Sequence, residues 1–330
     1  MRYQIIFTAL LIFCTGCRAQ YTDSCAGASP VRIHRFDKAI LRLLESGNDV
    51  AVQGELLCDY PLMLEVLAKG VLNMQTPQVP GFFDRLTAYY SEPSLNELYR
   101  DAVAMYDSVG PIERQLGCAF AYLGQSLPSM PLPQVYMHVS GLSLNVLAAD
   151  DLLSISIDKY MGADYPLYKR FFYPFQREKM RGERLVADYL AGWLMSEYPF
   201  GGNEGVLLDR MIYEGKIRYI ISQALPLLSP HTLMGYTAEE YAWCMKNEAG
   251  LWTTIIERKH LYTPDLTTTE KYIADPPASF LAAGAPGNIG VWIGLQIVNK
   301  YMEETAATPE ELMQERNAQD ILAQSRYKPF

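Results

Sequence analysis

One short stretch of alternating residues most constrains how this chain folds. Between Leu152 and Asp158, apolar Leu153, Ile155 and Ile157 alternate with Ser154, Ser156 and Asp158. A period of two is typical of a half-buried β-strand with one apolar and one polar face. Asp150 and Asp151 precede it and suit a hairpin turn from a strand at 144–147, and a further strand is predicted at 135–139. The pattern predicts a small antiparallel sheet.

Helical periodicity dominates the rest of the chain. Apolar residues recur every three to four positions over 183–197, 204–225 and 289–302. Thr237 with Glu240, and Thr308 with Glu311, have the spacing of capping boxes that open a helix, the second running over 309–324. No repeat or second domain boundary is visible. We therefore predict one mainly α-helical α+β domain over residues 32–330.

The N-terminus predicts export. Ile5–Phe13 is a short apolar run that follows Arg2, and a membrane-spanning helix needs about 20 apolar residues. It is therefore predicted to be a secretory signal. Thr15 and Gly16 before Cys17 fit a bacterial lipoprotein signal, in which residues 1–16 are removed, Cys17 is lipidated and 17–31 form a linker. An ordinary signal peptide cut after Ala19 is the alternative.

The charge balance argues against nucleic acid as a partner. The chain has 28 Lys and Arg against 37 Asp and Glu, a formal charge of −9, and no basic run. Such a surface repels phosphate backbones. The sequence thus predicts a protein tethered to a membrane by its lipid and binding no nucleic acid.

The histidines give no metal-binding pattern. His34, His138, His231 and His260 fall on separate segments, and none lies four residues from another. A zinc helix of the HExxH type needs two imidazoles one turn apart. GxSxG is also missing, and the glycine-rich stretch 284–290 lacks the lysine of a phosphate loop. We expect no metal and no cofactor.

Two carboxylates within apolar helical stretches are the remaining candidates for chemistry. If Asp188 and Glu214 face one groove, they could act as an acid/base pair, as in glycoside hydrolysis. The alternative is that each bonds a basic, tyrosyl or backbone group nearby. Asn247, Glu248 and Trp252 share a helix face and are predicted to border the same groove.

The cysteines are compatible with either disulfide bonds or free thiols. After processing, Cys25, Cys58, Cys118 and Cys244 remain, and they allow three complete pairings. Their spacing is irregular, and the last three lie in apolar helical stretches, so buried free thiols are at least as compatible with the sequence.

Several motifs together resemble the gliding motility-associated lipoproteins called GldB. They are Ile155–Tyr168, Leu207–Ile217, Met234–Thr237, Trp243–Glu248, Pro286–Gly294 and Ser325–Pro329. The resemblance runs from about Arg32 to the C-terminus. It implies a Bacteroidota protein attached to the outer membrane and facing the periplasm. The implied partners are envelope proteins of the gliding or type IX secretion machinery.

The order of elements also resembles zincin metallopeptidases. In that comparison, residues 183–197 correspond to the HExxH helix, and Glu214 corresponds to a downstream metal ligand. The central part of that helix, Val186–Ala191, contains no histidine. A catalytic zinc site needs three protein ligands. The resemblance implies a zincin-like scaffold without the HExxH histidines, hence a non-catalytic protein that binds a protein or peptide in the groove. A hydrolase acting on peptide or cell-wall glycan through Asp188 and Glu214, and a purely structural anchor, are the alternatives.

Overall fold

The computed structural model describes residues 28–74 and 76–329. The signal peptide, Cys17 and Cys25 lie outside these residues. The first helices are α1 (Phe36–Glu45), α2 (Val50–Asp59), α3 (Pro61–Gly70), α4 (Phe82–Tyr90), α5 (Pro93–Met105) and α6 (Gly110–Ser126). After the sheet come α7 (Pro166–Phe171), α8 (Pro174–Glu178), α9 (Leu185–Glu197), α10 (Leu207–Ala224) and α11 (Pro230–Met234). The last are α12 (Ala238–Glu257), α13 (Leu266–Ile273), α14 (Ile289–Thr305), α15 (Pro309–Gln314) and α16 (Ala318–Ser325). The prediction of a mainly helical protein is confirmed.

The sheet is mixed, so the prediction of an antiparallel sheet is wrong. Its strands are β1 (Ile33–His34), β2 (Gln134–His138), β3 (Val146–Ala149) and β4 (Leu152–Ser156), in the spatial order β1-β2-β4-β3. β1 and β4 both pair with β2 in parallel, and only β3 and β4 are antiparallel. The β3–β4 hairpin attaches to β2 through β4, its buried strand, which leaves β3 with exposed Ala148 at the edge.

The serine face of β4 is buried, which corrects the prediction of a half-buried strand. Every residue of β4 is buried. Ser154 Oγ lies 2.8 Å from Nδ1 of His138 on β2. Asp158, just beyond the strand, accepts hydrogen bonds from the backbone of Ser140 (3.1 Å) and Leu142 (2.7 Å). The polar side chains therefore hold β2 and the loop after it, because buried polar groups need partners.

Several local predictions are confirmed. Asp150 has a left-handed φ of 45°, and Ala149 pairs with Leu152, as a two-residue hairpin turn requires. The capping boxes at Thr237 and Thr308 open α12 and α15. The single helix expected over 309–324 is instead divided, because Asn317 caps a new helix, α16, with its side chain.

α10 and α14 pack closely through glycines. Gly294 of α14 lies against the backbone of Met211, and Gly215 of α10 lies against the backbone of Gly294. Gly290 packs beside Tyr272 of α13. Gly290 and Gly294, one turn apart, thus allow neighbouring helices to approach α14 closely. The two helices contribute Trp292, Ile217 and Ile220 to one continuous buried core.

The cysteines divide into free and bonded. Cys58 is exposed and free, and Cys244 is buried and free. Cys118 is disulfide-bonded. Within residues 28–74 and 76–329, no helix is both long and apolar enough to cross a bilayer.

Candidate functional site

Asp188 is held in a network that ties α9 to two other elements. Its carboxylate accepts a hydrogen bond from Tyr160 Oη at 2.6 Å and pairs with Arg184 at 2.8 Å. Arg184 also donates to the carbonyl of Leu233 in α11 at 3.0 Å. Burial, and then the Asp188 charge, raise the pKa of Tyr160 well above its usual value. The phenol thus stays protonated and donates to Asp188.

Glu214 is paired within its own helix. It lies between Arg210, at 3.3 Å, and Arg218, at 3.9 Å. Arg210 also contacts Glu204 at 3.1 Å and lies 4.9 Å from the ring centre of Phe200. Within the described part of the chain, Asp188 and Glu214 share no arginine partner. Each carboxylate therefore bonds a nearby arginine, as the second of the two sequence-based interpretations expected.

Two of the other three predicted groove residues meet the C-terminal segment. Glu248 accepts a hydrogen bond from Tyr327 Oη at 2.8 Å, and Trp252 packs edge-on against the Tyr327 ring at 5.1 Å. Asn247 instead donates to the carbonyl of Trp243 in its own helix at 2.7 Å. This face of α12 thus fixes the end of the chain.

A first cleft, here called the C-terminal cleft, lies between α10, α14 and residues 326–329. Its volume is about 790 Å³. Glu248 lines it together with Lys300, Glu303 and Arg326, so charges of both signs face the space. Of the five predicted groove residues, Glu248 alone belongs to this lining.

A second cleft, the aromatic cleft, was not predicted. It has a volume of about 540 Å³ and lies between the segment after α9, one face of α10 and the α15–α16 connection. Its walls include Tyr198, Phe200 and Tyr213, and the rings of Phe200 and Tyr213 meet edge to face at 5.2 Å. Charged side chains, among them Asp209 and Arg316, also line it. A volume in this range with aromatic walls is typical of ligand sites.

Lys216 is a buried cation in the lining of the aromatic cleft, whereas Arg316 in the same lining is exposed. The Lys216 ammonium donates to the carbonyl of Glu315, at the end of α15, and the residue is 8 % exposed. Burial lowers the pKa of Lys216 to about 8. The group is thus mostly charged at neutral pH but close to titrating. A lysine within an apolar helical run, after the break Tyr198–Gly202, was the sequence signal that could have revealed this cleft.

The histidines occupy unrelated environments. His138 is fully buried, and burial lowers its pKa to about 3, so it is neutral in the fold. His34 stacks on Tyr136, and His260 bonds Tyr272. In the residues that the structure describes, no three His, Cys, Asp or Glu side chains are placed to hold a metal ion together.

Comparison with known proteins identifies a family. A family model described as gliding motility protein GldB matches residues 21–329. No curated protein and no solved structure matches the chain.

Proposed function

The chain belongs to the GldB family of gliding motility lipoproteins, and we propose that it supports the gliding machinery of the cell envelope by binding a partner protein. We further propose that the domain is anchored through Cys17 to the outer membrane and faces the periplasm. The partner would belong to the gliding or type IX secretion machinery. Family membership and the residues before Cys17 support this placement.

The aromatic cleft is the observation that carries the binding proposal. Phe200 and Tyr213 offer an apolar surface, and Lys216 offers a buried cation at the α15–α16 side of the same space. An extended partner segment fits this arrangement if one apolar or aromatic side chain packs on the rings. A partner carboxylate would then meet the ammonium of Lys216, because charge-assisted hydrogen bonds are among the stronger polar contacts.

The contacts of the two candidate carboxylates support a non-catalytic role. A general acid or base must reach the proton that it transfers, whereas Asp188 and Glu214 are engaged by Arg184, Arg210 and Arg218. Neither carboxylate lines the two clefts described above. The zincin-like scaffold stays a prediction, and with it the idea that metal chemistry has been lost.

Site-specific photo-crosslinking in the envelope tests the proposed site. A photoreactive phenylalanine analogue at Phe200 should cross-link one discrete partner in a gliding bacterium whose own family member has been deleted. The same analogue at Leu227, which is 69 % exposed and lines neither cleft, is the matched control. Absence of a discrete product from Phe200 in cells that glide normally would contradict the proposal.

Substitutions at four positions separate the alternatives. Glu214→Gln keeps the shape of the side chain and removes its charge, so loss of gliding with intact fold and intact cross-linking would favour the hydrolase. Cys17→Ser removes the lipidation site. If Phe200→Ala and Tyr213→Ala leave gliding unchanged while Cys17→Ser abolishes it, the protein is a structural anchor.

A further inference from the structure

A second surface of the domain exposes aromatic side chains next to basic ones. Phe171, at the end of α7, is 64 % exposed, and Tyr173, before α8, is 70 % exposed. The rings of Tyr173 and Phe175 stack in parallel at 5.7 Å. Clustered exposed rings commonly mark an interaction surface. We call residues 169–177 the aromatic–basic patch.

The patch is basic on an acidic protein. Residues 169–177 contain three Lys and Arg and no Asp or Glu, whereas the whole chain has a formal charge of −9. Lys169 and Arg170 are exposed, and the Arg170 guanidinium lies 5.7 Å from the ring centre of Phe171. Acidic residues also lie close to the patch. Asp164 pairs with Lys169 at 3.1 Å, and Glu178 pairs with Arg181 at 2.8 Å. Glu183 is exposed.

Buried contacts hold the patch in place. Tyr168, one turn before Phe171, is fully buried, and its hydroxyl accepts a hydrogen bond from the backbone of Met161 at 3.0 Å. Tyr165 donates to Asp101 of α5 at 2.9 Å. Pro166 and Pro174 open α7 and α8 at their first positions. The exposed rings are therefore presented by anchored short helices.

The entry of the chain and the segment that leads to the patch both contact α6 or the residues just before it. Val31 donates to the carbonyl of Glu113 in α6 at 3.0 Å. Just before α6, Tyr106 donates to the carbonyl of Tyr160, in the segment that leads to α7, at 2.6 Å. Ala28, the first described residue, follows Cys17 by eleven positions, and a chain of that length spans at most about 40 Å. A lipid on Cys17 would therefore keep the entry of the chain within about 40 Å of the bilayer, which leaves the patch able to reach the lipid surface.

We propose that the aromatic–basic patch docks on an anionic lipid surface and sets the orientation of the lipid-anchored domain. Aromatic rings partition into the headgroup region, and Lys and Arg are attracted to anionic headgroups. The positive excess and the tether length favour lipid over a second protein as the occupant. The inference rests on the proposed anchor, and docking would fix which way both clefts face.

Lipid photo-labelling tests this with the lipidated protein. The protein is reconstituted into vesicles of phosphatidylcholine and phosphatidylglycerol with a trace of a photoactivatable phospholipid. Lipid adducts are then located by mass spectrometry. We expect them to concentrate in residues 169–177, and to fall about tenfold in the Phe171→Ser, Tyr173→Ser double variant, because each ring loses its burial in the interface.

Controls separate the patch from the anchor. Leu227→Ser with Leu266→Ser removes two side chains that are 69 % and 55 % exposed outside the patch, and should leave labelling unchanged. Vesicles of phosphatidylcholine alone should lower it several-fold. The mass of the N-terminal peptide shows separately whether the chain is acylated. Lipid adducts on the patch of a chain without acyl groups would contradict the proposed anchor at Cys17. They would still support docking of the patch on lipid.

Three results would overturn the proposal. The first is labelling spread evenly over the surface, and the second is labelling of residues 169–177 that the double variant leaves unchanged. The third is the absence of lipid adducts on the patch while a photoreactive residue at 171 cross-links an envelope protein in cells. All variants should keep the wild-type melting temperature, because the substituted side chains are exposed.

Discussion

Adding one methyl group at Gly294 should separate two helices that the fold needs in contact. A Cβ at this position would lie 1.8 Å from the carbonyl oxygen and 2.5 Å from the carbonyl carbon of Met211. Carbon atoms in contact prefer about 3.5–4.0 Å. The obstacle is helix backbone, which cannot rotate away as a side chain would, so α10 and α14 must move apart by more than about 1 Å.

The expected cost follows from two opposing effects. Overpacking a core typically lowers the free energy of unfolding by about 1–3 kcal/mol. Because the obstacle to the new methyl group is backbone, we expect Gly294→Ala to cost about 3 kcal/mol, the upper end of this range. Alanine is a better helix former than glycine by about 1 kcal/mol. The net loss in the free energy of unfolding is therefore about 2 kcal/mol, which corresponds to a melting temperature lower by about 3 °C in a chain of this length.

Gly250→Ala is the matched control. Gly250 lies inside α12, and nothing would come within 4 Å of a Cβ there. Only the propensity effect applies, so this variant should be more stable than wild type by up to about 1 kcal/mol. Urea unfolding of the purified mature protein, followed by circular dichroism, gives both values. A Gly294→Ala variant as stable as Gly250→Ala would refute the close-packing argument.

Three further predictions concern titration and redox chemistry. His138 takes up no proton in the fold until its pKa of about 3, whereas in the unfolded chain it protonates near 6.5. Stability is therefore lost as pH falls below 6.5, by about 2 kcal/mol between pH 6.5 and 5. In urea unfolding, the stability of His138→Gln should fall by about 2 kcal/mol less than that of wild type between pH 6.5 and 5. Equal dependence of stability on pH in the two proteins would contradict this. The Lys216 ammonium discharges as pH rises through about 8, so cross-linking from Phe200 should weaken at pH 9 in wild type but persist in Lys216→Arg, whose charge is retained. A Lys216→Arg variant that weakens equally would exclude a role for this charge. Non-reducing peptide mapping should join the Cys118 peptide to the Cys25 peptide, because Cys58 and Cys244 are free and Cys14 and Cys17 are removed or acylated on our interpretation. A free Cys25 thiol would contradict the pairing.

Local signals in the sequence determined much of the secondary structure. Helical periodicity, the capping boxes at Thr237 and Thr308 and the turn at Asp150 depend on residues a few positions apart, and the structure has each of them. The motifs that resemble GldB likewise identified the family that the family model matches.

Only the tertiary structure shows whether neighbouring strands are parallel and whether their polar side chains are buried. Alternation identified β4, but its parallel pairing with β2 and the burial of Ser154 depend on neighbours distant in the chain. A serine that faces water and one that bonds a buried histidine look alike in sequence. Asp158 illustrates the same point, since its backbone partners belong to the loop after β2.

The same distinction separates the predicted groove from the clefts. Spacing on one helix correctly placed Glu248 and Trp252 on a shared face, where both meet Tyr327. The aromatic cleft depends on the relative placement of the segment after α9, α10 and α15, which are far apart in the chain. The sequence alone determined which segments become helices and strands, because that depends on neighbouring residues. Only the packing of those segments decided which side chains share a cavity.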